Sequence, residues 1–142
     1  MSYPLRHLHE ILHAISSLPP SQTAPSLLII CHKFDLLKTS ASSGSASNLA
    51  VNRVKTILER ELEKRRVAQV GGVGVEKLGA EDERTELGGL ECGDGNAPFK
   101  FDDWEGGEVA FLGSAVRPNA PSEKSTDEDG LASLQDWIEE HM

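Results

Sequence analysis

The sequence predicts an α/β chain built on parallel strands, and two observations carry that expectation. Ser26 to Cys31 holds Leu27, Leu28, Ile29 and Ile30 in an unbroken apolar run without alternation, the pattern of a parallel strand covered on both faces. The periodicity along the chain then orders the elements as helix, strand, helix, insertion, strand, helix, with no internal repeat, and helices alternating with strands build α/β layers.

The first helix is expected over residues 4–18, where Leu5, Leu8, Leu12 and Ile15 recur at three- and four-residue steps, marking one apolar face. Pro4 suits the first turn, where its missing N–H would have no partner in any case. Pro19 and Pro20 stop the helix and Pro25 closes the linker. After the strand the chain turns polar at His32, Lys33 and Asp35, which places them at the strand's C-terminal end, where open α/β sheets bind ligands. Residues 39–48, rich in Ser, Ala and Gly, read as a flexible link.

From Leu49 to Arg66 the helix pattern is strong. Val51, Val54, Leu58, Leu62 and Arg65 follow one face, Ser47 or Asn48 can cap the start, and acids precede bases as the helix dipole favours. Residues 67–98 carry eight glycines and an excess of acids, and a loop of that length inside a compact domain reads as a disordered insertion. Glu108 to Val116 is the second strand, with Val109, Phe111 and Leu112, ending in Gly113 and Ser114. An acidic linker, 117–130, leads to a last amphipathic helix faced by Leu131, Leu134, Trp137 and Ile138.

With 142 residues there is room for one domain or a piece of one. The formal charge of -9 repels phosphate backbones and anionic membrane surfaces, so direct nucleic acid binding is not expected. No segment approaches the roughly 20 apolar residues that span a bilayer, and Met1 to Arg6 lacks the form of a secretory signal. As it stands the sequence reads as soluble. Cys31 and Cys92 form no disulfide framework or CxxC clip and fit a reducing compartment.

The residues that carry chemistry follow the two strands. His32-Lys33-Phe34-Asp35 comes directly after the first. Guanine offers N1–H and the 2-amino group as adjacent donors, and one carboxylate, here Asp35, can accept both, a pair adenine cannot supply. The stem of Lys33 suits the purine face. This element usually begins with Asn; here His32 stands in its place, with one donor and one acceptor when neutral. Ser114-Ala115 ends the second strand, and in guanine-nucleotide-binding folds a Ser-Ala turn offers a backbone N–H to the guanine carbonyl. The third position there is usually Lys; here it is Val116.

Other clusters read as ordinary structure. His7, His9 and His13 lie in the first helix without the Cys or carboxylate set that would complete a metal site, and read as a solvated helical face. Asp102, Asp103 and Glu105 read as a polar turn before a strand, not as paired catalytic carboxylates. Trp104 and Trp137 read as packing anchors.

Leu27–Leu37 (LLIICHKFDLL), Asn52–Arg66 (NRVKTILERELEKRR), Phe99–Val116 (FKFDDWEGGEVAFLGSAV) and Leu131–Glu140 (LASLQDWIEE) together resemble the family of signal recognition particle receptor beta subunits, with the fungal members most similar. The resemblance covers nearly the whole chain but only the C-terminal half of the family's small-GTPase domain. It implies the C-terminal portion of a P-loop GTPase-like, doubly wound and mostly parallel domain. It also implies GTP as ligand and His32, Lys33, Asp35, Ser114 and Ala115 as guanine-base contacts. The receptor's alpha subunit is the implied partner, and the cytosolic face of the endoplasmic reticulum membrane the implied location.

No GxxxxGK[ST] loop occurs, so nothing cradles the phosphates or supplies a hydroxyl to Mg²⁺. The switch segments, the magnesium-organising Asp-x-x-Gly and the membrane anchor are also missing from these residues. An incomplete sequence is the expected reason, and residues 1–142 are expected to form a partial domain with no catalytic residue and no GTP turnover. The alternatives are a non-catalytic protein-interaction module and a fragment of an Arf- or Rab-like GTPase.

Overall fold

A computed structural model of the chain describes residues 3–34, 46–71, 88–93, 96–115 and 131–142. They form helices α1 (Tyr3–Ser16), α2 (Ala46–Gly71) and α3 (Ala132–His141) and strands β1 (Leu27–His32) and β2 (Val109–Ser114). The chain divides into two compact units. One, the helical unit, comprises Met1–Pro25 and Ile57–Glu108; the other, the sheet unit, comprises Ser26–Thr56 and Val109–Met142.

The helical unit has a core of large side chains. Leu5, Leu12 and Ile15 are buried on α1, as their spacing predicts, and Leu62 is buried on α2. Leu90, Cys92, Phe99, Phe101 and Trp104 are buried on the stretch leading toward β2, and the Phe99 and Phe101 rings meet edge to face with centroids 5.0 Å apart, a favoured aromatic geometry. Phe101–Asp103 makes one turn of 3₁₀ helix, and Asp102, Asp103 and Glu105 are exposed around it, the polar turn that the sequence indicates. Trp104 is the expected anchor: its indole N–H donates to the Gly89 carbonyl at 2.7 Å.

Two carboxylates of α2 hold this stretch by its backbone. Glu63 accepts from the Phe99 N–H at 2.8 Å and Glu59 from the Phe101 N–H at 3.1 Å. Four residues apart on the helix, the two acids share a face and meet alternate amides of an extended segment. Arg66 pairs with Glu63 at 2.7 Å and Lys100 with Glu59 at 3.2 Å, so neither partly buried carboxylate is left without a counter-charge.

In the sheet unit β1 and β2 pair in parallel, Leu27 opposite Val109 through His32 opposite Ser114. The unbroken apolar run is therefore a parallel strand, but it is not covered on both faces: Ile30 is 44% exposed. Among the described residues of this unit the buried ones are small, namely Cys31, Ala50, Gly113, Ser114 and Ala115. The helix α3 packs against β2 while Leu131, just before it, and its Ile138 remain exposed, and the Lys55 ammonium lies 5.8 Å from the Phe111 ring centroid.

Three sequence expectations are corrected. The insertion placed at 67–98 is ordered at both ends among the described residues: 67–71 continue α2, and 88–93 and 96–98 include the buried Leu90 and Cys92. The helix runs on because Val67-Ala68-Gln69-Val70 holds no breaker, and the far end is pinned by His9 and Trp104; residues 72–87 and 94–95 lie outside the described residues. Ser47 and Asn48 fall inside α2 and do not cap it, since the helix already includes Ala46. His9 is not on a solvated face. It is fully buried, with Nε2 3.2 Å from the Gly88 carbonyl, because residue 9 lies four after Leu5 and three before Leu12 on the same stripe. The linker at 117–130 lies outside the described residues.

Candidate functional site

Both elements singled out for base recognition sit at the C-terminal ends of the paired strands. Parallel pairing requires this: strands running the same way end on the same side, and the register sets His32 directly opposite Ser114. Residues 82 apart in sequence thereby meet, with His32 Nδ1 2.9 Å from Ser114 Oγ. Lys33 follows with a φ of +63°, the left-handed region that side chains with a Cβ disfavour, so the chain turns sharply as it leaves the strand. Ala115 is buried beyond Ser114, whereas His32 and Lys33 are exposed. Asp35 and Val116 lie outside the described residues, so of the five expected base contacts the structure brings together His32, Lys33, Ser114 and Ala115.

Gly113 has a role that spacing did not disclose. A Cβ there would collide with the Ser47 hydroxyl, and would stand 3.1 Å from Phe34 Cδ1. Glycine lets the first turn of α2 and the turn after β1 close over the end of β2. The visible clue was a glycine interrupting an apolar strand, a mark of close approach by neighbouring atoms.

The chemistry on offer is recognition. His32 offers an imidazole, Lys33 an ammonium, and Ser114 a hydroxyl in a residue 2% exposed. Cys31 is buried nearby on β1, and burial pushes its thiol above the usual value; Cys92, in the helical unit, is raised for the same leading reason. Both are free thiols, and a raised thiol is a poor nucleophile. Among the described residues no three of His, Cys, Asp and Glu gather closely enough to hold a metal ion. His7 and His13 stay on α1, with His7 3.7 Å from Glu10. No helix among these residues is long and apolar enough to cross a membrane. No protein-family model matches the chain, and no curated protein matches it.

Proposed function

We propose that this chain is the base-reading part of a guanine-nucleotide-binding domain of the signal recognition particle receptor beta type, a GTP-binding component of co-translational targeting. One observation supports the reading above the rest: two separate sequence elements, each suited to a purine edge, end adjacent parallel strands and are joined by the His32–Ser114 hydrogen bond. Ligands of α/β sheets bind at that end. On this reading the receptor's alpha subunit is the partner and the cytosolic face of the endoplasmic reticulum membrane the place of action. Asp35 supplies the acceptor for the guanine donors.

Phosphate and Mg²⁺ are not held by any GxxxxGK[ST] loop of these residues, so the chain by itself contributes base selectivity without hydrolysis. Calorimetric titration of the folded chain with GTP, GDP and ATP tests this. Weak binding with a guanine preference that Asp35→Asn removes is the expected result. Equal affinity for ATP, or GTP turnover abolished by Asp35→Asn, would overturn it. A second reading, a non-catalytic interaction module, draws on the exposed Ile30, Leu131 and Ile138 of the sheet unit. It gains if a well-folded chain binds no nucleotide.

A further inference from the structure

Which atom holds the proton between His32 and Ser114 follows from burial. Ser114 is 2% exposed, and among the described residues the partner of its hydroxyl is His32 Nδ1, at 2.9 Å. A hydroxyl carries one proton; Nδ1 of a neutral imidazole carries either a proton or a lone pair. Were Nδ1 the donor, the Ser114 proton would be buried with no acceptor among the described residues, a loss of about 1–3 kcal/mol. With Ser114 donating, both atoms are satisfied and the ring proton resides on Nε2. That nitrogen lies on the opposite edge of the ring, in a side chain that is exposed.

We infer that Ser114 locks His32 as the Nε2–H tautomer, making His32 a donor at the C-terminal rim of the sheet that selects ligands presenting an acceptor edge. Lys33 beside it can also only donate, so these two side chains offer no acceptor to an amino group, and on the proposed reading the guanine N1–H and 2-amino donors are left to Asp35. The choice of ligand rests on the guanine-nucleotide reading: a 6-oxo purine presents a carbonyl and a ring nitrogen as acceptors, whereas a 6-amino purine places a donor at the same edge. Ser114 is a positioning residue, acting through His32.

The experiment has two arms on the full 142-residue chain. In the first, long-range proton–nitrogen spectra are recorded on ¹⁵N-labelled protein near about pH 8, where imidazoles are largely neutral, with His32→Gln assigning the signals. Expected are an unprotonated Nδ1 and a protonated Nε2 for His32, a shift toward the tautomeric average in Ser114→Ala, and retention of the locked form in Ser114→Thr. A protonated Nδ1, or identical spectra in Ser114→Ala, overturns the lock. Circular dichroism checks the fold; if Ser114→Ala does not fold, the wild-type and Ser114→Thr spectra decide.

In the second arm GDP, inosine diphosphate and ADP are titrated. The two oxo purines should bind better than ADP, and Ser114→Ala should narrow that preference by about three- to tenfold, the range of one modest hydrogen bond, while Ser114→Thr keeps it. A preference unchanged in Ser114→Ala overturns the role in specificity and leaves the guanine reading standing. Failure to bind any of the three, with the tautomer as expected, overturns the guanine reading and the acceptor-edge role together, and leaves the lock.

Discussion

The helical unit buries Leu12, Leu62, Leu90 and Phe99 almost completely, whereas among the described residues of the sheet unit, which carries the candidate site, none larger than a cysteine is buried. Burial of apolar area is the main favourable term in folding, at about 25 cal/mol per Å². The two units therefore differ in what holds them. The helical unit rests on side-chain packing reinforced by two carboxylates that read backbone amides. The described part of the sheet unit rests on one parallel ladder and small residues, and two strands alone make a weak core. Among the described residues, then, the elements that place the candidate site are not the elements with most stabilisation. Low local stability is a common property of regions that bind or move.

Removing a core ring should separate the two units most clearly. Phe99→Ala should cost about 3–5 kcal/mol, the range for a fully buried aromatic, while Ile30→Ala in β1 should cost less than about 1.5 kcal/mol because the side chain is already half in water. Hydrogen exchange read separately for α1 and β1 checks both. Protection should fall in α1 for Phe99→Ala and stay nearly unchanged there for Ile30→Ala. Equal loss in both helices and strands for either variant would mean that the units unfold together, and the contrast would not hold.

A smaller effect comes from acid. The side-chain hydrogen bond from Arg66, with the Phe99 amide and the Arg66 charge adding to it, holds the Glu63 carboxyl below its usual value of 4.5 against the opposing cost of burial. A depressed carboxylate binds its proton more readily in the unfolded chain, so its contribution to stability is present above about pH 4.5 and is lost as pH falls through the lower folded value. Denaturation midpoints measured from about pH 6 to pH 3 should fall on the acid side, and Glu63→Gln should flatten that limb while lowering stability at neutral pH. An acid limb unchanged in Glu63→Gln would show that the Phe99 amide does not depend on the charge.

How much of this was legible depended on whether a residue's role is local. The five elements were readable, because the stripes of α1 and α2 and the apolar runs of β1 and β2 are periodic signals within one segment. That both turns lie at the C-terminal side of the sheet was readable for a related reason, since parallel strands end on the same side; that His32 stands opposite Ser114 is a matter of register, which the folded chain supplies. What the sequence could not give was contact between distant segments. His9 looked like one of three solvated histidines until Gly88, 79 residues away, proved to be its partner. Glu59 and Glu63 read only as acids placed before bases along the helix, and the folded chain shows them holding the Phe101 and Phe99 amides. Residues 88–93 look like loop because glycine and acid dominate their composition, yet Leu90 and Cys92 within them are buried.

The smallest effect tests the site itself. Among the described residues, Lys33 is the one non-glycine with positive φ, at +63°. In the helical unit the same demand is met differently: at Gly89, with φ of +91°, an added Cβ would lie 2.8 Å from the His13 Cα, so glycine is required there by space as well as by conformation. Lys33 is exposed and its cost is conformational, about 1 kcal/mol. Lys33→Gly relieves that cost but gives the unfolded chain more freedom, which offsets about half of it. The expected net is a stabilisation of about 0.5 kcal/mol, together with weaker nucleotide binding from loss of the ammonium. Chemical denaturation and titration of the same variant measure the two separately. A clear destabilisation would mean that the Lys33 side chain packs in the sheet unit, and that the turn after β1 is held by more than the His32–Ser114 bond.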